Sequence, residues 1–293
     1  MKKYFEKFSL VELNRTFYQY PRMETVEGWR KKAPKDFEFT VKAHQDISHK
    51  ARLKDEELSL QTFKRMKQIC EVLNSKILLI QTPGSLRPNA LGDAEKFFKK
   101  INREDLVLVW ETRGEAWENM EIYKKLGQVL RGVGVVHVTD PFRIMPAYTG
   151  EIAYFRLHGL GKQMYYYQYT DAELQKLKEL IAPYEKEGKE VYVLFNNLSM
   201  FDDAVRFMQY LLKGTFPKIT RSTGLVSIRE VAEKTRYPVA KSMLIKRLGW
   251  KLVQLGMGRQ VRLETVLAGL PSKSFSSVDR LVEEIRTVKK LSD

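Results

Sequence analysis

Glu12, Lys42, Glu111 and His158 are the side chains of this sequence best suited to share out a reaction. Two carboxylates can pass protons or hold a cation, an amine can clamp a phosphate, and an imidazole titrates near neutrality. Each stands at or next to the end of a short apolar run: SLVEL (9–13), FEFTVK (37–42), LVLVWE (106–111) and AYFRLH (153–158). Three further runs end the same way: KILLIQ (76–81) on Gln81, VVHVTD (135–140) on Asp140, and EVYVLFN (190–196) on Asn196. Asn14, His49, Arg113 and Arg156 add donors beside the same run ends. A mixture of Lys, Arg, Gln, Asn and His suits an anionic or polyhydroxyl ligand. Tyr165, Tyr166, Tyr167 and Tyr169 follow the run that ends at His158. Tyrosines beside basic groups can stack bases or sugars, with Tyr167 as a substrate-binding candidate, or they can pack as a lid without a ligand.

Each candidate has a plainer alternative. Glu12 can form a structural ion pair with Lys42 or Arg156, since charges inside a fold need partners. Lys42 can act as a phosphate clamp or, if desolvated, as a base or Schiff-base nucleophile, and the clamp is favoured. A divalent metal could gather Glu111, Asp140 and His158 from separate strands. The sequence nevertheless lacks an HxxxH, HEXXH or HxH pair, so it names no cofactor. His137 sits mid-run between Val136 and Val138 and reads as a core histidine. The single cysteine, Cys70, lies beside Ile69 in a helix-like segment and reads as a core thiol; one cysteine excludes a disulfide framework or thiolate cage within the chain. Gly132-Val133-Gly134 precedes a strand instead of opening a helix after one, so it is no dinucleotide fingerprint.

What must position these residues is a repeating unit. Seven apolar runs alternate with helix-like segments, which implies a parallel sheet covered on its faces. That pattern predicts an α/β fold of the β/α-barrel (TIM) type over residues 1–213, with the chemistry at the carboxyl ends of the strands. The chain has 293 residues against the barrel's typical size of about 250, so an appended domain is expected at 214–293.

The appended part is strongly basic. Residues 218–262 hold eleven Lys/Arg against Glu230 and Glu233, which makes +9 of the chain's +15. Concentrated positive charge attracts nucleic acid. The segment predicts a helix over SIREVAEKT (227–235) with Ser227 as N-cap, a second helix from Pro238 over 238–249, and a hairpin about Gly256-Met257-Gly258. Helix, turn, basic helix and hairpin resemble a winged helix-turn-helix domain. Lys241, Lys246, Arg247, Lys251, Arg259 and Arg262 would form its nucleic-acid-binding face, on DNA or RNA. The alternative is a small helical cap that covers or dimerises the barrel. No apolar run approaches the roughly 18 residues of a membrane span, and MKKYFEKF lacks the apolar stretch of a signal peptide. A cytoplasmic protein without a membrane partner is therefore expected, with no oligomeric state indicated.

The stretch VELNRTFYQYPRMETVEGWRKKAPKDFEFTVKAHQDISH (11–49) resembles the domain-of-unknown-function-72 family, also called YecE-like. That family carries a VEINxTFY strand end, a P-x-x-x-T-x-x-x-W helix and an F-x-F-x-V-K-A strand leading to T/S-H, in this order. The likeness continues through LLIQTPGSLRPN (78–89), VWETRGEAW (109–117), FRLHG (155–159), YYYQYTDAEL (165–174) and VYVLFNN (191–197). The resemblance implies a β/α barrel and a link to barrel-fold phosphodiesterases that process DNA. Family members usually open with a GxSGW-like strand, which is absent here; a shortened N-terminus or an open seven-stranded barrel is expected. The leading expectation is a nucleic-acid-interacting barrel, a phosphodiester hydrolase or repair-type enzyme with a DNA-binding tail. The alternatives are a small-molecule enzyme for a sugar or phosphorylated metabolite, and a ligand-sensing DNA-binding regulator.

Overall fold

Each of the seven apolar runs forms a strand. In the computed structural model, which describes residues 2–256 and 258–289, they are β1 (Leu10–Leu13), β2 (Glu38–Lys42), β3 (Ile77–Gln81), β4 (Val107–Glu111), β5 (Val136–Val138), β6 (Ile152–Leu157) and β7 (Glu190–Phe195). β1 to β5 make one parallel sheet in sequence order. A single parallel bridge, Thr139 to Phe155, links the end of β5 to β6, with the Arg156 N–H donating to the Thr139 carbonyl at 3.0 Å. β6 and β7 form a two-stranded sheet.

Both faces of β2 to β6 are buried along almost their whole length, which is why those runs are apolar throughout instead of alternating, while β1 and β7 are mostly half-buried. One face packs Phe39, Val41, Leu78, Ile80, Leu108 and Trp110 among apolar residues of helices Met23–Lys32, Glu57–Leu73, Leu91–Lys100 and Met120–Val133. The opposite face gathers Ile77, Leu79, Val109, Val138, Ile152, Tyr154 and Tyr192 into a second core. The two-residue repeat of a strand puts Gln81 on the same side as Leu79, Glu111 with Val109, and Arg156 with Tyr154. The polar strand ends therefore continue the second core. Cys70 is buried in helix Glu57–Leu73, and burial pushes its thiol up to about 12, the behaviour of an inert core residue. Gly134, at φ 63°, ends helix Met120–Val133 in the left-handed conformation that glycine adopts freely, so this glycine pair serves a helix end.

The contacts divide the chain into two compact units, Met1–Leu157 with Leu180–Leu194, and His158–Glu179 with Phe195–Asp293. The second unit has a core of its own, including Leu225, Ile228, Leu244, Val253, Leu263 and Ile285. It carries helices Met200–Lys213, Gly224–Ala232, Lys241–Leu248, Leu263–Leu267 and Val278–Lys289. Its strands are β8 (Val239–Ala240), the antiparallel hairpin β9 (Leu252–Gly256) and β10 (Arg259–Arg262), and β11 (Ser274–Phe275), which pairs with β8. Met257 lies outside the described residues.

Two boundaries differ from those the sequence predicts. Ser227 is not an N-cap: it lies inside helix Gly224–Ala232, fully buried, bonded to Thr220 Oγ1 at 2.6 Å and accepting the Gln254 N–H at 2.8 Å. The second helix starts at Lys241, because Val239 and Ala240 pair with β11 instead of entering the helix at Pro238. After the hairpin come a short helix, β11 and helix Val278–Lys289, an order longer than helix, helix and wing. Among the described residues no helix is long and apolar enough to cross a membrane.

Candidate functional site

Arg156, fully buried on β6, organises the first unit's polar cluster. Its Nε and Nη2 donate to the two oxygens of Glu12 at 3.0 and 2.7 Å, and its Nη1 donates to Glu111 Oε2. Burial alone would lower the guanidinium pKa, but Glu12 and then Glu111 outweigh it and raise it. Glu12 also accepts the Tyr154 hydroxyl at 2.8 Å and the Asn14 amide at 3.1 Å. Glu111 Oε1 accepts Arg113 Nε at 2.7 Å. Both carboxylates thus face fixed donors, the arrangement that makes a buried ion pair tolerable.

Lys42 is handled differently. It ends β2 and is 7% exposed, yet its Nζ donates to the neutral Gln81 Oε1 at 2.8 Å and sits 4.1 Å from the centre of the Phe17 ring. Gln81 is held in turn by donating to the Thr82 carbonyl at 2.8 Å. Burial, then the positive charge of Arg156, push Lys42 down to about 8, against the pull of Glu111 and Glu12. His49 packs edge-on against the same Phe17 ring at 4.9 Å, and its Nδ1 is 2.9 Å from Ser48 Oγ. Burial, then Lys42 and Arg113, lower its pKa, so its neutral form is favoured.

The first unit therefore brings together Glu12, Asn14, Lys42, Gln81, Glu111, Arg113 and Arg156, with His49 under their influence. Asp140 follows β5, and its Oδ1 accepts the Phe142 N–H at 3.1 Å, a turn-forming contact. Tyr154 and Thr40, whose hydroxyls lie 3.0 Å apart, belong to the cluster although they stand mid-strand. The signal for Tyr154 was its even spacing from Arg156. His137 is a satisfied core histidine: Nδ1 accepts the Ala147 N–H at 3.1 Å, Nε2 lies 3.0 Å from Thr112 Oγ1, and burial pushes its pKa down to about 4. Another buried cluster gave no run-end signal. His44 stacks on Tyr20 at 3.8 Å, and Tyr20 donates to Asp46 at 2.8 Å. Among the described residues no group of three or more His, Cys, Asp or Glu side chains is disposed to hold a metal.

His158 and Asn196 belong to the second unit and meet each other, the Asn196 Nδ2 and His158 Nδ1 lying 3.2 Å apart. Three residues read as ligand-facing are internal contacts instead. Tyr167 is buried, its hydroxyl donating to Glu173 at 2.5 Å and its ring lying 4.0 Å under the Arg262 guanidinium. Arg262 donates to the Trp250 carbonyl at 2.9 Å and the Gln168 carbonyl at 3.3 Å. Lys241 donates to the Ala268 and Leu270 carbonyls at 3.1 and 2.5 Å, closing the turn after helix Leu263–Leu267. Their partners are backbone oxygens and a ring, which a charge pattern does not reveal. Lys246, Arg247 and Arg259 remain exposed, and Lys251 is half-buried.

The first unit is thus an α/β protein with a parallel sheet and a buried arginine–carboxylate cluster at the carboxyl ends of its strands. Residues 1–222 match the family described as "Protein of unknown function DUF72", and the chain belongs to that family. Residues 223–289 match a second description, "Family of unknown function (DUF5789)". The UPF0759 protein YunF of Bacillus subtilis (strain 168) is 26% identical over 241 residues, spanning 72% of this chain and 85% of that protein. A crystal structure of a DUF72 family protein from Enterococcus faecalis V583 aligns with a TM-score of 0.57 and 25% identity, over 72% of this chain and 92% of that one. A second crystal structure from that source gives a TM-score of 0.52 and 22% identity, over 71% and 86% of the two chains.

Proposed function

We propose that this protein binds phosphate-bearing ligands, nucleic acid foremost, on a β/α barrel of which β1 to β7 are the strands, with Lys42 as the charge that receives a phosphate. The observation that carries the reading is the contrast between Lys42 and the two arginines. Arg156 and Arg113 are each bonded to carboxylates, whereas the ammonium of Lys42 is bonded to an uncharged amide. The positive charges of Arg156 and Arg113 both act on Lys42, against the pull of Glu111 and Glu12. A point charge in a half-apolar setting, with a ring beneath it, holds a phosphate oxygen without the fork geometry that Arg would impose.

Glu12 and Glu111 act in this reading as positioning groups that fix Arg156 and Arg113. Their oxygens already accept from guanidinium, phenol and amide donors, which disfavours the two-carboxylate proton relay that their strand-end positions suggest. Phosphodiester hydrolysis would then draw on Lys42 to hold the phosphate and on the neutral His49 to accept the proton of the attacking water. The exposed cations Lys246, Arg247 and Arg259 favour a polymer over a single small metabolite. Titration of thymidine 5′-phosphate and of thymidine into the full-length protein by calorimetry tests the reading. Binding of the phosphate form alone, abolished in Lys42→Met, is expected; equal binding of both compounds, or binding indifferent to Lys42→Met, would remove Lys42 as the phosphate receptor.

A further inference from the structure

Within the second unit the tyrosine-rich loop and the basic C-terminal segment meet where an exposed Tyr166 touches a half-buried Trp250. Helix Lys241–Leu248 ends with Lys246 and Arg247 turned to solvent. The indole N–H of Trp250 donates to the Arg247 carbonyl at 2.9 Å, which fixes the ring against the end of that helix. Tyr166, 36% exposed, meets Trp250 edge-on, with ring centres 6.1 Å apart and planes at 86°. The Lys251 ammonium lies 4.5 Å from the centre of the same indole. Burial, then the positive charge of Lys234, lower the Lys251 pKa, against the pull of Asp202 and Asp203. The neighbouring Tyr167 is pinned beneath Arg262, so the loop that presents Tyr166 is held by its buried half.

We propose that Tyr166 and Trp250 form a base-stacking surface for single-stranded nucleic acid, with Lys246, Arg247 and Lys251 receiving the flanking phosphates. The proposal rests on the nucleic-acid reading above for its ligand class, but not on Lys42. Two aromatic rings at a fixed angle beside cations match the chemistry of a nucleotide, a flat base attached to an anion. Duplex bases are already stacked on one another and cannot reach such rings, so charge alone would act on a duplex. Stacking tolerates any base, and a sequence-indifferent single-strand binder follows.

The test uses the full-length protein, oligo(dT) and oligo(U) of about a dozen nucleotides, within the usual site size per module, and a duplex of equal length, each at low and moderate salt. Tryptophan emission should fall as either single strand is added, and Trp250→Phe should remove most of that change. Tyr166→Ala with Trp250→Ala should weaken single-strand binding by roughly tenfold or more, as loss of one stacked base does, with a far smaller effect on the duplex. Lys246→Glu with Arg247→Glu, both on exposed positions that leave the core intact, should weaken strand and duplex alike. Single-strand binding that is unaffected by both aromatic substitutions, with unchanged emission, would overturn the stacking surface alone. No measurable binding of strand or duplex would overturn it together with the nucleic-acid reading. A preference between oligo(dT) and oligo(U) would show whether DNA or RNA is the source.

Discussion

Arg156 decides the character of the first unit's cluster, because one guanidinium satisfies carboxylates from two different strands. Removing it leaves Glu12 and Glu111 desolvated with fewer donors. Arg156→Met should therefore destabilise the protein by about 3–5 kcal/mol, the usual result of breaking a buried pair from one side, read from urea unfolding. Glu12→Gln, which keeps shape and one acceptor, should cost less. His137 supplies a stability term of opposite origin. Its folded pKa lies near 4 through burial, against about 6.5 in an unfolded chain. Between those values the unfolded state holds more protons, so this contribution is complete above pH 6.5 and is lost as pH falls toward 4. The difference amounts to about 3 kcal/mol at 1.36 kcal/mol per pH unit. Unfolding of His137→Gln, followed across that window, should fall less steeply with acid than the parent protein; parallel slopes would mean that His137 is not the group responsible.

At the scale of elements, the strands were legible almost to the residue, because a run buried on both faces carries its own boundary where a polar side chain appears. The same rule picked out Glu12, Lys42, Gln81 and Glu111, while Arg156, two residues before the end of its run, was legible only as a neighbouring donor. It passed over Tyr154, since a mid-strand tyrosine reads as core until its even spacing from Arg156 is noticed. In the second unit the local signals were weaker and two misled. Ser227 carries the composition of a cap but is a buried bridge to Gln254, and Pro238 is followed by residues drawn into a strand. Lys241 and Arg262 looked like phosphate contacts because their carbonyl partners exist only after folding. The docking of the tyrosine loop has its own weak point. Gly159 has φ 91°, and a Cβ placed there would lie 2.4 Å from Tyr167 Cβ. Gly159→Ala should displace Tyr167 from beneath Arg262 and lower stability by about 1–3 kcal/mol, the common range for a strained backbone site. Tyr167→Gly, which removes the clashing Cβ, should recover part of that loss in the same background, and an additive double variant would place the strain elsewhere.

Taken as a whole molecule, the chain joins a neutralised arginine–carboxylate cluster to a net charge of +15. Charge alone marks many proteins that merely attract anions at long range and in low salt. Lys42 adds something more specific: a buried amine whose pKa is pushed down to about 8 and which must be charged to do its work. The direct test is calorimetric titration of sulfate, a phosphate mimic whose own charge does not change between pH 7 and pH 9. Because burial lowers the Lys42 pKa, its positive charge is present at pH 7 and is lost as pH rises through about 8. Affinity should accordingly fall roughly tenfold between pH 7 and pH 9. Lys42→Arg, charged throughout, should bind with little dependence on pH, and Lys42→Met should not bind at either. Sulfate affinity that stays level across this range in the parent protein and survives Lys42→Met would contradict the account.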